Sequence, residues 1–337
     1  MSLEGRLIVD FWDVGQGDAS VITLPSGEII IIDTGEDACL EKWLRRKKPQ
    51  IHTIVITHND SDHCGSLNAI LHDYQGPPIN LWIVNDQHKN TEVLRELFAS
   101  VPRHEKAKKV VSSLISLGGG RQTQPIYHSS CQNIQLDVVF PDAATLIGIR
   151  ALSRPNPNTV SAILTLTIEG IIQIVWAGDA PMAAVAQVCT GMDPKVLVGP
   201  HHGGPLDRPD KNTSQAAATA YRNTFQAISP ERVFVSVGTK NGHSHPVKHH
   251  FIDPHLALGR KVVCSQMHHC GRIQIQSGQP LLANHGALGL EPPTIGVSCR
   301  GPMRLTWENS AWKDDVFQEL HAVAIQNLRP AYCLQGT

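Results

Sequence analysis

Short apolar segments of strand length alternate with polar turns along the first 35 residues. They cover residues 7–14, 19–24 and 28–33, with the turn Pro25-Ser26-Gly27 between the last two. Runs of this length, rich in β-branched residues and bounded by glycine and proline, predict strands joined in an antiparallel meander. From residue 37 to 48 the apolar positions take a helical spacing and end in four cations, which favour a helix C-terminus.

The rest of the chain alternates strand-like and helix-like segments. The apolar run 51–57 is followed by the polar run 58–63 and by a predicted helix at 64–72. Further apolar runs of strand length cover 134–140, 160–168, 171–176, 196–199, 233–237 and a segment that begins at 261. Such alternation predicts an α/β fold, in which ligands favour the carboxyl ends of strands.

The length suggests how the chain divides into domains, and the composition excludes one class of binding protein. Its 337 residues have room for a main domain over 1–284, with a basic helical insertion at about 86–120, and a C-terminal appendage over 285–337 packed on it. The 29 Lys and Arg against 30 Asp and Glu give a formal charge of -1, which excludes a polybasic binder. Eighteen histidines outnumber the 7 Phe, 6 Trp and 4 Tyr together, which directs attention to histidine chemistry.

The N-terminal segment lacks the basic, apolar and small-residue regions of a signal peptide. No apolar run approaches the roughly 20 residues needed to cross a bilayer. We therefore expect a cytoplasmic protein without membrane contact, whose eight cysteines are reduced thiols or metal ligands.

The densest chemistry lies directly after the apolar run 51–57, in the segment Thr57-His58-Asn59-Asp60-Ser61-Asp62-His63-Cys64-Gly65. It places two imidazoles and two carboxylates within six residues. These groups bind zinc, manganese and iron, and a tight turn at a strand end can aim them at one point. Three more apolar runs end in metal-competent side chains, namely Asp179, His201 with His202, and His243 with His245. Four strand ends of this kind predict a metal site.

Together these motifs resemble the metallo-β-lactamase fold superfamily, specifically the hydrolase domain of ComEC-type competence DNA-uptake proteins and their soluble stand-alone relatives. The resemblance extends from residue 5 to about 280 and is carried, in order, by DVGQGDA (13–19), IDTG (32–35), THNDSDHCGSL (57–67), AGDAP (177–181), PHHGG (200–204) and SVGTKNGHSHP (236–246). It implies a four-layer αββα sandwich with a dinuclear metal site at one edge of the two sheets.

The resemblance also implies the ligands. His58 and Asp60 would serve the first metal site, Asp62 and His63 the second, and Asp179 would bridge both. The lactamase-like pattern has a histidine where Asp60 stands here. An aspartate makes the site harder, which favours manganese or magnesium alongside zinc.

Other positions of the family pattern are less complete in this chain. Either His202 or His245 would complete the second site, and Asp33 would orient ligands rather than bind metal. The superfamily's middle histidine has no clear counterpart, because His128 falls in a predicted loop. The ComEC-like group instead carries an Asn and Ser pattern, matched here by residues 158–161.

The resemblance implies a phosphodiesterase or nuclease that acts on DNA. Two divalent ions would turn a bridging water into hydroxide at neutral pH and withdraw charge from a phosphoryl oxygen. The predicted catalytic residues are Asp62, also a ligand, and the histidines His201 and His243, as phosphate contacts or proton donors. Basic residues of 42–48 and 89–109 would grip a nucleic acid backbone.

Two other functions remain alternatives. One is hydrolysis of a small phosphoester, cyclic nucleotide or lactone, and the other is a non-catalytic binding module on the same fold. For stand-alone relatives, the resemblance also suggests a regulatory protein partner.

A second cluster follows the predicted strand at 261. Cys264, Cys270 and Cys299, together with His268 or His269, form a candidate structural zinc site. Unlinked cysteines buried in the core are the alternative.

Overall fold

The computed structural model describes most of the chain, including most of the predicted motifs. The described residues are 5–36, 38–84, 92–115, 125–129, 133–141, 157–204, 215–237, 245, 251, 253–265, 296–299 and 303–315. Within these ranges, no helix has the length and apolar character needed to span a membrane.

The first sheet combines an antiparallel and a parallel half. Its strands are β1 (Leu7–Phe11), β2 (Ala19–Thr23), β3 (Ile29–Thr34), β4 (Ile51–Ile56), β5 (Ile79–Val84), β6 (Val110–Ile115), β15 (Met303–Glu308) and β16 (Ala311–Asp315). They lie in the order β16-β15-β1-β2-β3-β4-β5-β6. The pairs from β16 to β3 are antiparallel and those from β3 to β6 are parallel. The predicted meander is thus β1 to β3.

The second sheet is built in the same way. Its strands are β7 (Tyr127–Ser129), β8 (Ile134–Phe140), β9 (Ile163–Ile168), β10 (Ile171–Trp176), β11 (Val196–Val198), β12 (Arg232–Val235), β13 (Lys261–Cys264) and β14 (Gly296–Cys299). They lie in the order β14-β13-β12-β11-β10-β9-β8-β7. The pairs from β7 to β10 are antiparallel and those from β10 to β14 are parallel.

Helices cover the outer side of each sheet. They are α1 (Cys39–Lys47), α2 (Ser61–Cys64), α3 (Leu67–Asp73), α4 (Glu92–Lys106), α5 (Met182–Cys189), α6 (Gln215–Ile228) and α7 (Asp253–Ala257). Apolar residues of α1, α3 and α4 pack on the first sheet. Those of α5 and α6 pack on the second sheet. Two short 3₁₀ turns cover Pro157–Val160 and Pro200–Gly203.

A third apolar cluster fills the space between the two sheets. Phe11 of β1 contacts the facing sheet, with ring centroids 5.0 Å from Phe234 and 6.3 Å from Trp176. Burying an aromatic or large aliphatic side chain contributes about 2 kcal/mol, so such contacts hold the sheets face to face. Helix, sheet, sheet and helix form four layers, which confirms the predicted αββα sandwich.

One edge of the sandwich collects the strand ends that precede the predicted ligands. β4 ends two residues before His58, and β10 ends three residues before Asp179. β11 ends shortly before His202, while β2 begins directly after Asp18. Because these ends share one edge, side chains far apart in sequence converge there.

Two segments differ from the sequence interpretation. The stretch 86–120, expected to be a helical insertion, contains α4 and then β6, which pairs in parallel with β5. It is a strand-helix-strand crossover that extends the first sheet. Of the predicted appendage over 285–337, the described residues form β14, β15 and β16 within the sheets. The sequence conceals this because β15 pairs with β1, at the opposite end of the chain.

Candidate metal centre

The loop after β4 directs four predicted ligands to one place. His58 and His63 are fully buried, and their ring centroids lie 3.9 Å apart. Asp60 Oδ2 lies 4.0 Å from His58 Nε2. The carbonyl of Asp60 accepts the backbone N–H groups of His63 and Cys64, both at 3.0 Å. This tight turn therefore brings Asp60 and Asp62 to the same side as the two imidazoles.

Asp179 lies between the histidines, and its two carboxylate oxygens face different groups. Oδ2 is 3.5 Å from His58 Nε2. Oδ1 is 3.3 Å from His63 Nε2 and 3.6 Å from His202 Nε2. Ligand atoms about 2 Å from one tetrahedral ion lie roughly 3.4 Å from each other. The separations thus suit a carboxylate shared between two ions.

The turn at Pro200–Gly203 carries two adjacent histidines in an uncommon backbone conformation. His201 and His202 have φ angles of 50° and 51°, in the left-handed region. Each such non-glycine residue costs roughly 1–2 kcal/mol. The His201 N–H donates to the carbonyl of Gly178 at 2.8 Å. This bond ties the turn to the residue before Asp179.

His202 joins the pair formed by Asp62 and His63. Its Nε2 lies 3.1 Å from His63 Nε2 and 3.4 Å from Asp62 Oδ2. Its Nδ1 is 3.0 Å from the carbonyl oxygen of Ser236, which can accept only a proton carried on Nδ1. His245, the other candidate for this position, lies with its ring against His201. The structure thus brings His202 to the second site.

Asp33 contacts Nδ1 of His63, the ring nitrogen that faces away from the cluster. Asp33 Oδ2 lies 2.8 Å from His63 Nδ1 and accepts the Thr57 hydroxyl at 2.7 Å. Asp33 Oδ1 accepts the Thr57 N–H, also at 2.7 Å. A carboxylate on Nδ1 leaves Nε2 facing the cluster and makes it a better ligand. This is the geometry of the orienting aspartate that the resemblance implies.

The Asn and Ser pattern contacts ligands through hydrogen bonds. Ser161 Oγ lies 3.3 Å from His58 Nδ1 and accepts the Asp179 N–H at 2.8 Å. Asn158 Nδ2 donates to Asp179 Oδ2 at 3.3 Å. His128, considered as the middle histidine, lies in the edge strand β7 rather than in a loop, and is exposed. Three sheet positions separate β7 from β10, the strand that leads to Asp179.

Asp18 is a site residue to which the sequence interpretation gave no role. It is buried, and its Oδ1 lies 3.7 Å from His202 Nδ1. The ligand atoms of Asp18, His63 and His202 all lie within 4.8 Å of one another, as do those of His58, Asp62 and His63. Burial raises the pKa of Asp18 to about 6, against the opposing charges of the two histidines. Its position could have indicated this role in the sequence, because Asp18 directly precedes β2, whose beginning lies at the same edge of the sheet as the end of β4.

Several predicted residues lie outside the described part of the chain. These are His243, His268, His269 and Cys270. For Cys264 and Cys299 the backbone alone is described, and the two are register partners in the adjacent strands β13 and β14. The structural zinc site therefore stays a prediction.

The cluster fits divalent metal ions. Within the described residues, two of its buried atoms, His58 Nε2 and Asp179 Oδ1, have no hydrogen-bond partner. Buried polar atoms without partners are costly, and a cation bound between them would remove that cost. Imidazole and carboxylate are also the ligand types that zinc and manganese accept. The residues that would hold the ions are His58, Asp60, Asp62, His63, Asp179 and His202.

Protons compete with metal for these ligands. Burial disfavours charge on His202, but the carboxylates of Asp18 and Asp179 outweigh it and raise the pKa of His202 to about 9. Burial is likewise outweighed at His63, where Asp33 and Asp179 raise the pKa well above its usual value. Each imidazole must lose the proton on Nε2, the ring nitrogen that faces the cluster, before that nitrogen can bind a metal ion.

Metal affinity is therefore expected to rise with pH. In protein stripped with a chelator, protonated His202 stabilises the fold fully below the ordinary histidine pKa of about 6.5, and this contribution is lost as the pH rises through 9. Between those values the apparent metal affinity should rise at least about tenfold per pH unit. Calorimetric titration in buffers of different ionisation enthalpy counts the released protons, and His202→Asn should release fewer than the wild type. An affinity that is constant from pH 7 to 9 would contradict the expectation.

Comparison with known sequences supports the resemblance. Residues 12–130 match the profile of the metallo-beta-lactamase superfamily. ComE operon protein 3 of Bacillus subtilis (strain 168) is 22% identical over 277 residues, which cover 73% of this chain and 30% of that protein. The chain therefore spans less than a third of the length of this relative.

Solved structures give matches of low sequence identity. The metallo-beta-lactamase fold protein YhfI from Bacillus subtilis matches with a TM-score of 0.49 and 8% identity, over 77% of this chain and 97% of that one. Igni18, a metallo hydrolase from the archaeon Ignicoccus hospitalis, matches with a TM-score of 0.40 and 16% identity, over 67% and 81%. The four layers and the cluster at the sheet edge are those of the metallo-beta-lactamase fold, as the motifs predicted, and the sequence matches are to that superfamily and to ComE operon protein 3.

Proposed function

We propose that this chain is a metal-dependent phosphodiesterase that hydrolyses DNA. The observation that carries the proposal is the buried carboxylate of Asp179, with His58 at one oxygen and His63 and His202 at the other. Divalent ions held there would lower the pKa of a bound water and withdraw charge from a phosphoryl oxygen. Hydrolysis of a phosphodiester needs both effects.

The chain's own residues orient the ligands and leave one side open. Asp33 fixes the ring of His63, and Ser161 contacts that of His58, so the imidazoles need no rearrangement. The side chains of Asp62 and His201 are 25% and 26% exposed, in contrast to the fully buried histidines. A substrate phosphate would therefore reach the cluster on the side of these two residues.

The neighbouring thiol is not suited to act as a nucleophile. Cys64 follows His63 directly and is buried, and its burial raises the pKa of the thiol to about 12. The thiolate is the nucleophilic form of cysteine, and almost none exists at neutral pH. This supports water as the attacking group.

Exposed cations gather at the sheet edge opposite the candidate metal centre. They follow from the chain path, because α1 and α4 end just before the amino ends of the parallel strands β4 and β6. We call this group the far-edge basic surface, and it consists of Arg46, Lys47, Lys48, Arg103, Lys106 and Lys108.

The far-edge basic surface lies too far from the ligands to act on the phosphate that is cleaved. The six residues of β4 span on the order of 20 Å, whereas charges in physiological salt are screened over about 8 Å. A long polynucleotide can reach both places, but a small phosphodiester cannot. The surface therefore supports DNA over a small substrate, the alternative considered from the sequence.

The substrate class can be tested with one set of variants. We expect the protein with Mn²⁺ to cleave DNA of several tens of nucleotides, and the triple variant Lys47→Gln, Lys48→Gln, Lys108→Gln to raise KM for that DNA several-fold. The slope of log KM against log salt should fall by up to about 3, since each phosphate contact contributes roughly 0.9. Rates on a small chromogenic phosphodiester should not change.

A matched control lies in β16, at the other end of the strand order of the first sheet. Lys313 of β16 pairs with Glu308, and Lys313→Gln should change neither KM nor its salt dependence. Protein that hydrolyses the small diester but cleaves neither DNA nor RNA would refute the nuclease proposal. Metal-loaded protein inert on every phosphodiester would favour a non-catalytic binding module.

A further inference from the structure

The Asp179 carboxylate divides the cluster into two halves. On the Oδ1 side lie His63 and His202, at 3.3 and 3.6 Å. On the Oδ2 side lie His58 Nε2 at 3.5 Å and His201 Nε2 at 3.6 Å. Each half thus has two imidazoles at one carboxylate oxygen, with separations close to those of atoms that share one ion.

The strained turn explains how adjacent residues reach different halves. Two successive left-handed residues place the rings of His201 and His202 with centroids 6.4 Å apart. The His201 carbonyl accepts the Gly204 N–H at 2.6 Å, and the His201 N–H donates to Gly178. Strain of this kind persists where the surrounding structure imposes it, which is common at functional sites.

His245 supports the ring of His201. The two ring centroids lie 4.9 Å apart with an interplanar angle of 77°. His245 also lies so close to Gly204 that a Cβ on Gly204 would be 2.3 Å from His245 Nε2. The imidazole of His245 therefore packs close to both Gly204 and the ring of His201.

We propose that His201 is a ligand of the first metal site, together with His58, Asp60 and Asp179. His201 would take the place of the superfamily's middle histidine, which has no clear counterpart in this sequence. Asn158 is also on the Oδ2 side, but there it donates a hydrogen bond to Asp179. The inference rests on the metal dependence of the proposed function. It differs from the proton-donor role expected from the sequence, because a ligand changes metal stoichiometry and a proton donor does not.

The test is metal stoichiometry in His201→Asn, because asparagine tolerates the left-handed conformation better than other non-glycine residues. Calorimetric titration with Mn²⁺ and elemental analysis should give two equivalents for the wild type and one for His201→Asn. His202→Asn should also bind one. The double variant with His58→Asn and His201→Asn should still bind one equivalent, since both changes affect the same metal site. Adding His202→Asn to His201→Asn should abolish binding.

Two further variants keep the test decisive. His128→Asn, on the exposed edge strand β7, should keep two equivalents. His201→Gly relieves the left-handed strain, so it should melt no lower than the wild type and still bind one equivalent. Two equivalents of unchanged affinity in His201→Asn, or a wild type that binds one, would overturn the proposal. A wild type that binds two equivalents but hydrolyses no phosphodiester would refute the proposed function and leave the ligand assignment intact.

Discussion

Replacing Asp179 by Asn is expected to remove bound metal and to slow hydrolysis by at least about a thousandfold. Burial disfavours the charge of Asp179, but His58, His63 and His202 outweigh this and lower its pKa well below the ordinary value. The carboxylate is therefore ionised at neutral pH and offers one oxygen to each half of the cluster. A metal ion stabilises a phosphoryl transition state by several kcal/mol, and about 4 kcal/mol corresponds to a thousandfold in rate.

Elemental analysis and single-turnover rates on DNA measure this effect. A matched control is Asp10→Asn, because Asp10 is also a buried aspartate but pairs with Arg304 at 2.6 and 2.7 Å, away from the cluster. That variant should lose stability through a broken ion pair and still bind metal stoichiometrically. If Asp179→Asn kept full metal content and rate, the carboxylate would not be the bridging ligand.

Gly17→Ala is expected to lower the free energy of unfolding by more than about 3 kcal/mol and to weaken metal binding at the same time. Gly17 has a φ of 129°, and a Cβ there would lie 2.0 Å from the backbone oxygen of Asp62. The neighbouring Asp18 N–H donates to that same oxygen at 3.2 Å. Backbone strain and overpacking each cost roughly 1–3 kcal/mol, and relief would require Asp62 to move.

Urea unfolding and metal titration distinguish strain from close contact. Gly27, in the turn between β2 and β3, also has a positive φ of 87°, but a Cβ there would meet no atom within 4 Å. Gly27→Ala should therefore cost only about 1 kcal/mol and leave metal affinity unchanged. Equal costs and equal affinities in both variants would show that the contact between Gly17 and Asp62 does not hold the loop in place.

Local signals in the sequence were sufficient for the elements and for part of the site. The runs 134–140 and 171–176 are strands with the predicted bounds, because β-branched runs closed by turns depend on neighbouring residues alone. The candidate ligands of 58–63 could also be proposed from the sequence, since four metal-competent side chains lie within six residues. The order of the motifs resembles that of the metallo-β-lactamase superfamily, and this resemblance implied the four-layer fold.

Tertiary contacts decided which distant residues join that turn. His63 meets His202 across 139 positions, and Ser161 meets His58 across 103, so no local pattern distinguishes His202 from His245 or reveals Asp18. Likewise β15 joins the first sheet through a partner strand at the other end of the chain. The sequence by itself determined the types of the candidate ligands and the strands that precede them. The face-to-face packing of the two sheets determined the half of the site in which each candidate ligand lies, because that depends on where separate strands end in space.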